Sequence, residues 1–151
     1  MDHLVAISEY VKETIVKKYN LTANNISVIN RGIDTKFFNQ PIDSKRRNQI
    51  LTTHQIDTAK KIILFPARMT SWKGQLEFID VIKKMDTQNI LVLFAGDTKN
   101  SSYTNLVKDK IYQNNLTSIC KILGSVNQNE IRSLYQIADL SVSFPLRAEG
   151  F

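Results

Sequence analysis

Four short apolar runs, each separated from the next by an amphipathic stretch, constrain this chain more than any other feature. Ile62–Ala67, Ile90–Ala95, Ile119–Leu123 and Leu140–Phe144 have the length and side-chain types of strands in a covered sheet, the last alternating apolar residues with serine. After Trp72-Lys73-Gly74, the residues Phe78, Val81, Ile82 and Met85 recur at helical spacing and predict a helix over Gly74–Met85. A second helix is predicted from about Ser102 to Gln113, closed by Asn114-Asn115. Asn127 with Glu130 forms a capping-box pattern before a third, whose buried face is Ile131, Leu134, Tyr135 and Ala138.

The N-terminal part repeats the rhythm. Leu4–Ile7 is a short apolar run, Ser8 is an N-cap for a helix to about Tyr19, and Asn20 can end that helix. Ile26–Ile29 reads as a strand and Asn30-Arg31-Gly32 as a turn. From Thr35 to Lys60 the pattern is least regular, with a helix at Ser44–Thr53. Strands alternating with helices of these lengths give an α/β fold, a mostly parallel sheet covered by helices through right-handed crossovers.

With 151 residues, 42% hydrophobic and 23% charged, the chain can bury a substantial core and is not of disordered composition. A net charge of +6 favours an anionic partner or simply a solvated basic surface. Aromatics are not interleaved with the basic residues as in stacking platforms for nucleic acid, which is therefore not expected as a partner. The single cysteine, Cys120, lies in an apolar stretch and reads as a core residue. It excludes an internal disulfide and fits a reducing, cytoplasmic setting, with contact at the inner face of a membrane still open. His3 and His54 lack acidic or thiol neighbours at ligand spacing, so no metal site is expected.

Ligands of doubly wound parallel sheets sit at the carboxyl ends of the strands. Several features fall there: Arg68 through Lys73-Gly74, Gly96-Asp97, Gly124-Ser125-Val126, and Pro145 to Phe151 with Glu149. Arg68 and Lys73 straddle the turn into a helix whose first N–H groups should be unpaired. Free donors, dipole and cations would together suit a phosphate or diphosphate. Singly, each feature has a plainer reading: Arg68 a surface ion pair, Lys73 a solvated residue, Gly96 a turn glycine, Glu149 an exposed loop carboxylate.

As a set and in order, these residues resemble glycosyltransferase family 4. The resemblance is carried by Val5-Ala6-Ile7-Ser8-Glu9, Val28 through Asp34, Ala67-Arg68 through Lys73-Gly74, and Phe94-Ala95-Gly96-Asp97. Leu123-Gly124-Ser125-Val126, Tyr135 through Asp139 and Glu149-Gly150-Phe151 complete it. It implies the GT-B fold, in which two Rossmann-like domains face each other and the C-terminal one holds the nucleotide-sugar donor. It further implies a three-layer parallel sheet with helices on both faces, sugar transfer with retention, a nucleotide-diphosphate sugar as substrate, and no metal or other cofactor.

Carried onto this chain, the resemblance makes Arg68 and Lys73 the cations on the donor diphosphate. Glu149 becomes the first acid of a Glu-x7-Glu motif at the donor sugar, and Gly124, Ser125 and Val126 the backbone beside the base, with Gly74 and Gly96 in the same donor site. Residues 1–25 correspond to a hinge segment at the end of the N-terminal domain, and 26–151 to an incomplete donor-binding domain.

The motif's second acid would fall six residues past Phe151. The N-terminal acceptor-binding domain has no counterpart either, so the chain reads as a piece of an enzyme, inactive alone. The wording Ala67-Arg68-Met69-Thr70-Ser71-Trp72-Lys73-Gly74 is similar to members that build lipopolysaccharide and other surface glycans, with a glycolipid acceptor at the membrane. An inactive remnant or binding module is the rival reading. In the related fold the strand matching Leu140–Phe144 is internal, so here Leu140, Val142 and Phe144 should be poorly covered and self-association through that edge is expected.

Overall fold

A computed structural model describes residues 3–148. The chain divides into two compact units, one running to Asn39 and including Arg147 onward, the other Gln40–Leu146.

In the first unit, strand β1 (Leu4–Ala6), helix α1 (Glu9–Tyr19) and strand β2 (Ile26–Val28) form one crossover, with the two strands parallel. The Ser8 side chain accepts the Val11 N–H at 3.2 Å, and Asn20 closes the helix in the left-handed region at φ 51°. The expected turn at Asn30-Arg31-Gly32 is not formed, and Gly32 takes no positive φ. Instead Asp34 caps a short helix, α2 (Thr35–Asn39), accepting the Phe37 N–H at 2.9 Å.

The second unit holds the main sheet. Helix α3 (Ser44–Thr53) is capped by Asp43, and strand β3 (Lys61–Pro66) leads through a 3-10 turn at Ser71–Lys73 into α4 (Gln75–Ile82). Then follow β4 (Ile90–Ala95), α5 (Ser101–Gln113), β5 (Cys120–Gly124), α6 (Gln128–Ile137) and β6 (Leu140–Ser141). All strand pairs are parallel, in the order β5-β4-β3-β6.

Because side chains alternate across a strand, β3 and β4 feed two cores. Ile63, Phe65, Val92 and Phe94 meet Phe78 and Ile79 of α4 and Val107 of α5 on one face. Ile62, Leu64, Leu91 and Leu93 meet Ile50 of α3 and Leu134 of α6 on the other. Three layers result, as the pattern of runs requires. Cys120 lies in the first core, where burial pushes its thiol up to about 12 and keeps it unreactive. Among the described residues no helix is long and apolar enough to cross a membrane.

Some expectations need correction. Val81 and Met85 are 40% and 42% exposed; the buried face of α4 is Gln75, Phe78, Ile79 and Ile82. Tyr135 is half exposed, and Ser133 is buried beside Leu134 instead. The run Leu140–Phe144 pairs only over Leu140–Ser141, with one further bond from the Val142 N–H to the Leu64 carbonyl at 2.9 Å. Beyond it the chain swings over α4. The Phe144 ring lies 5.9 Å from that of Phe78, and both Val142 and Phe144 pack on the core, while Leu140 stays exposed.

The two edges of this sheet differ. At β6, Asp139 pins the start of the strand: its N–H donates to the Ile62 carbonyl, and its carboxylate takes the Ile62 N–H at 2.8 Å and the Lys61 ammonium at 2.8 Å. At β5, the Lys121 ammonium reaches outward to the carbonyls of His54 and Gln55, capping the end of α3.

Candidate functional site

Where β3 and β4 end, their backbones come too close for any side chain. A Cβ on Gly96 would overlap the Ala67 carbonyl and lie 2.8 Å from the Arg68 nitrogen. Gly96 is therefore required by close approach, not by the turn conformation its sequence context suggests. Its N–H donates to the Gly124 carbonyl at 2.9 Å, and the Met69 N–H donates to the Asp97 carbonyl at 2.9 Å. The carboxyl ends of β3, β4 and β5 are thereby tied together. Over them lies an open cleft of about 290 Å³, lined by Arg68, Gly96, Val126, Gln128 and Tyr135 among others.

Arg68 is exposed, yet the chain on either side of it is held. Met69 is fully buried, and the Arg68 carbonyl accepts from Gln75 Nε2 at 2.8 Å. Gln75, itself without exposure, accepts through Oε1 from the Tyr103 hydroxyl at 3.3 Å. Burial raises the Tyr103 pKa, keeping the phenol neutral.

Gln75 and Tyr103 escaped the sequence reading, although a signal existed. Gln75, Phe78, Ile79 and Ile82 fall at i, i+3, i+4 and i+7, so Gln75 is a polar residue on an apolar stripe.

Lys73 ends the 3-10 turn rather than lying in the helix, and it does not line the cleft with Arg68. Its ammonium lies 4.2 Å from the centroid of the Trp72 ring, a cation–π contact. Gly74 joins that turn to α4 at φ 78°. A Cβ there would overlap the Phe144 carbonyl and stand 3.0 Å from the Phe144 ring. The Leu146 N–H donates to the Trp72 carbonyl at 2.9 Å, so the segment after β6 is seated directly on the Trp72–Gly74 turn.

Gly124, at φ 77° with open space around it, lines a neighbouring polar cleft with Thr98, Ser101, Thr104 and Lys108. Ser125 is exposed between this cleft and Val126. Glu149, with Gly150 and Phe151, lies outside the described residues. Among the described residues no three His, Cys, Asp or Glu side chains gather into a metal-holding group. The structure thus brings Arg68, Gly96 and Val126 together, places Gly124 and Ser125 next to them, and sets Lys73 and Gly74 on a separate turn.

Residues 46–151 match the family described as Glycosyl transferases group 1. An uncharacterized glycosyltransferase of Methanocaldococcus jannaschii, MJ1607, is 25% identical over 140 residues, covering 92% of this chain and 35% of that protein. Among solved structures, a glycosyltransferase from Rickettsia africae ESF-5 superposes with a TM-score of 0.91 at 29% identity, over 98% of this chain and 39% of its own. Anabaena Alr3699/HepE, solved with UDP and glucose, gives a TM-score of 0.84 at 19% identity, over 99% of this chain and 40% of its own. WaaG, a glycosyltransferase involved in lipopolysaccharide biosynthesis, gives 0.74 at 15%, over 93% of this chain and 37% of its own. The last two are likenesses of fold. This chain spans between 35% and 40% of the length of these proteins.

Proposed function

The chain belongs to the glycosyl transferases group 1, with the parallel α/β architecture of GT-B enzymes, and on that premise we propose that it is the donor-binding portion of a retaining, metal-independent glycosyltransferase of family 4. The observation that carries this reading is the meeting of Arg68, Gly96 and Val126 in one cleft at the carboxyl ends of β3, β4 and β5, where doubly wound sheets hold their ligands. A nucleotide-diphosphate sugar lies with its diphosphate toward Arg68 and Lys73. These fixed cations neutralise the charge that grows on the departing nucleoside diphosphate. The backbone of Gly124, Ser125 and Val126 lies beside the base, and Glu149 contacts the sugar. The fold likeness to HepE, solved with UDP and glucose, favours such a donor.

The acceptor is a lipopolysaccharide or other surface-glycan precursor met at the inner face of the membrane, a reading supported by the wording of residues 67–74 and the likeness of fold to WaaG. Acceptor binding belongs to the N-terminal domain of such an enzyme. Exposed Leu140 leaves the β6 edge available to a second copy.

A second reading is a binding module without turnover, which the cleft at the strand ends would serve as well. Titration calorimetry with UDP, GDP and ADP tests the first reading. Binding of roughly 10⁻⁴ to 10⁻³ M is expected of the 151-residue chain, which carries one of the motif's two acids, Glu149. It should be lost in Arg68→Ala and in Lys73→Ala, and unchanged binding in both would sink the assignment. Sugar transfer by the 151-residue chain alone should be undetectable, since both substrates must be held together; direct observation of product would overturn that part.

A further inference from the structure

We propose that Gln75 is a positioning residue for donor binding: it fixes the main chain from which Arg68 reaches the diphosphate. The proposal rests on the donor-site reading and adds a residue to it. Burying an amide on an apolar stripe is unfavourable unless its polar atoms are matched, and here both ends are. Nε2 donates to the Arg68 carbonyl and Oε1 accepts from Tyr103. The relay therefore runs from Tyr103 on α5 through Gln75 at the start of α4 to the Arg68 main chain.

The next residue adds a second restraint. Met69 is buried and its N–H is taken by the Asp97 carbonyl. Gly96 packs against the backbone of Ala67 and Arg68 from below. The Arg68 main chain is thus held on both sides where the residue lines the cleft, an arrangement that limits the ordering left to be done when an anion binds. An aliphatic side chain would fill the Gln75 position with less desolvation, but would release the Arg68 carbonyl.

The test uses the 151-residue chain with Gln75→Met, which keeps the length of the side chain, and Tyr103→Phe, which removes only the hydroxyl. UDP affinity should fall about five- to tenfold in Gln75→Met and about two- to threefold in Tyr103→Phe.

Without ligand, ¹⁵N relaxation should show lower order at the Arg68 backbone and Nε in Gln75→Met, with Ala95 unchanged. A variant that melts lower but keeps Arg68 ordered and binds UDP as before would overturn the proposal and leave Gln75 a packing residue. If the unsubstituted chain binds none of UDP, GDP or ADP, the donor reading fails, and the relaxation result alone decides whether Gln75 anchors this loop. Should Gln75→Met not fold, the nearly isosteric Tyr103→Phe carries the same comparison.

Discussion

The two halves of the rim at the carboxyl ends of the strands are built on different foundations. Over the centre of the sheet, Arg68 and Gly96 stand on β3 and β4, six-residue strands paired along their whole length, with Leu64, Phe65, Leu93 and Phe94 entirely buried. Over the edge, the 144–146 segment, seated against Gly74, follows β6, two paired residues with one neighbour. Both halves contain a glycine that another backbone touches, yet the consequences differ. What obstructs a side chain at Gly96 is the backbone of Ala67 in the middle of the molecule. At Gly74 it is the Phe144 carbonyl, in the segment that follows β6. The central half stands on strands of six paired residues, the edge half on a strand of two.

Substitution at each glycine probes this difference. Gly96→Ala has no route to relieve its overlap and should cost about 3 kcal/mol or more, read as a lower urea midpoint with unchanged slope. A loss under about 1 kcal/mol would show that the strand ends can part. Gly74→Ala carries the strain of a left-handed residue, about 1–2 kcal/mol, and should push the 144–146 segment away. Hydrogen exchange at the Leu146 amide should then accelerate while amides of β3 and β4 stay protected. Equal acceleration in both places would erase the distinction between the halves.

The smallest effect lies at the foot of β6. The hydrogen bond from Lys61, followed by that from the Ile62 amide, holds the Asp139 carboxyl below its ordinary value; the hydrogen bond and charge of Asp139 raise Lys61. A depressed acid contributes above its unfolded pKa and loses that contribution as pH falls through the folded value. A raised amine contributes below its unfolded pKa and loses it as pH rises through the folded one. The pair therefore supports β6 across the neutral range and is lost toward both extremes. Both groups are solvent-exposed, so the change should be modest. Asp139→Asn should flatten the acid limb of stability against pH, and an unaltered limb would remove Asp139 from this role.

What the sequence disclosed follows the same division. Ile90–Ala95, the Ser8 cap of α1 and the Asn127–Glu130 capping box were legible because their signals are local: an apolar run, a cap, a reciprocal pair of hydrogen bonds. The extent of β6 was not, because Leu140–Phe144 reads like a five-residue strand and only tertiary contact with Phe78 diverts it. The need for Gly96 is likewise invisible, since it arises from Ala67, far away along the chain. Arg68, Gly96 and Val126 were named from sequence and meet in one cleft. The separation of Lys73 from them depends on how the Ser71–Lys73 turn packs, which no spacing rule encodes.

Lys121 bears on stoichiometry. With its ammonium tied to the carbonyls at the end of α3, and none of Cys120–Gly124 exposed, the outer side of β5 offers an incoming strand little to pair with, whereas Leu140 at β6 is 54% exposed. A sheet with one guarded flank and one available flank can be extended only once. On the proposal that copies pair through β6, a pair would leave β5 at each outer end, and growth should stop there. Sedimentation equilibrium should fit a monomer–dimer scheme without higher species, and Lys121→Ala is the change that should lift the ceiling.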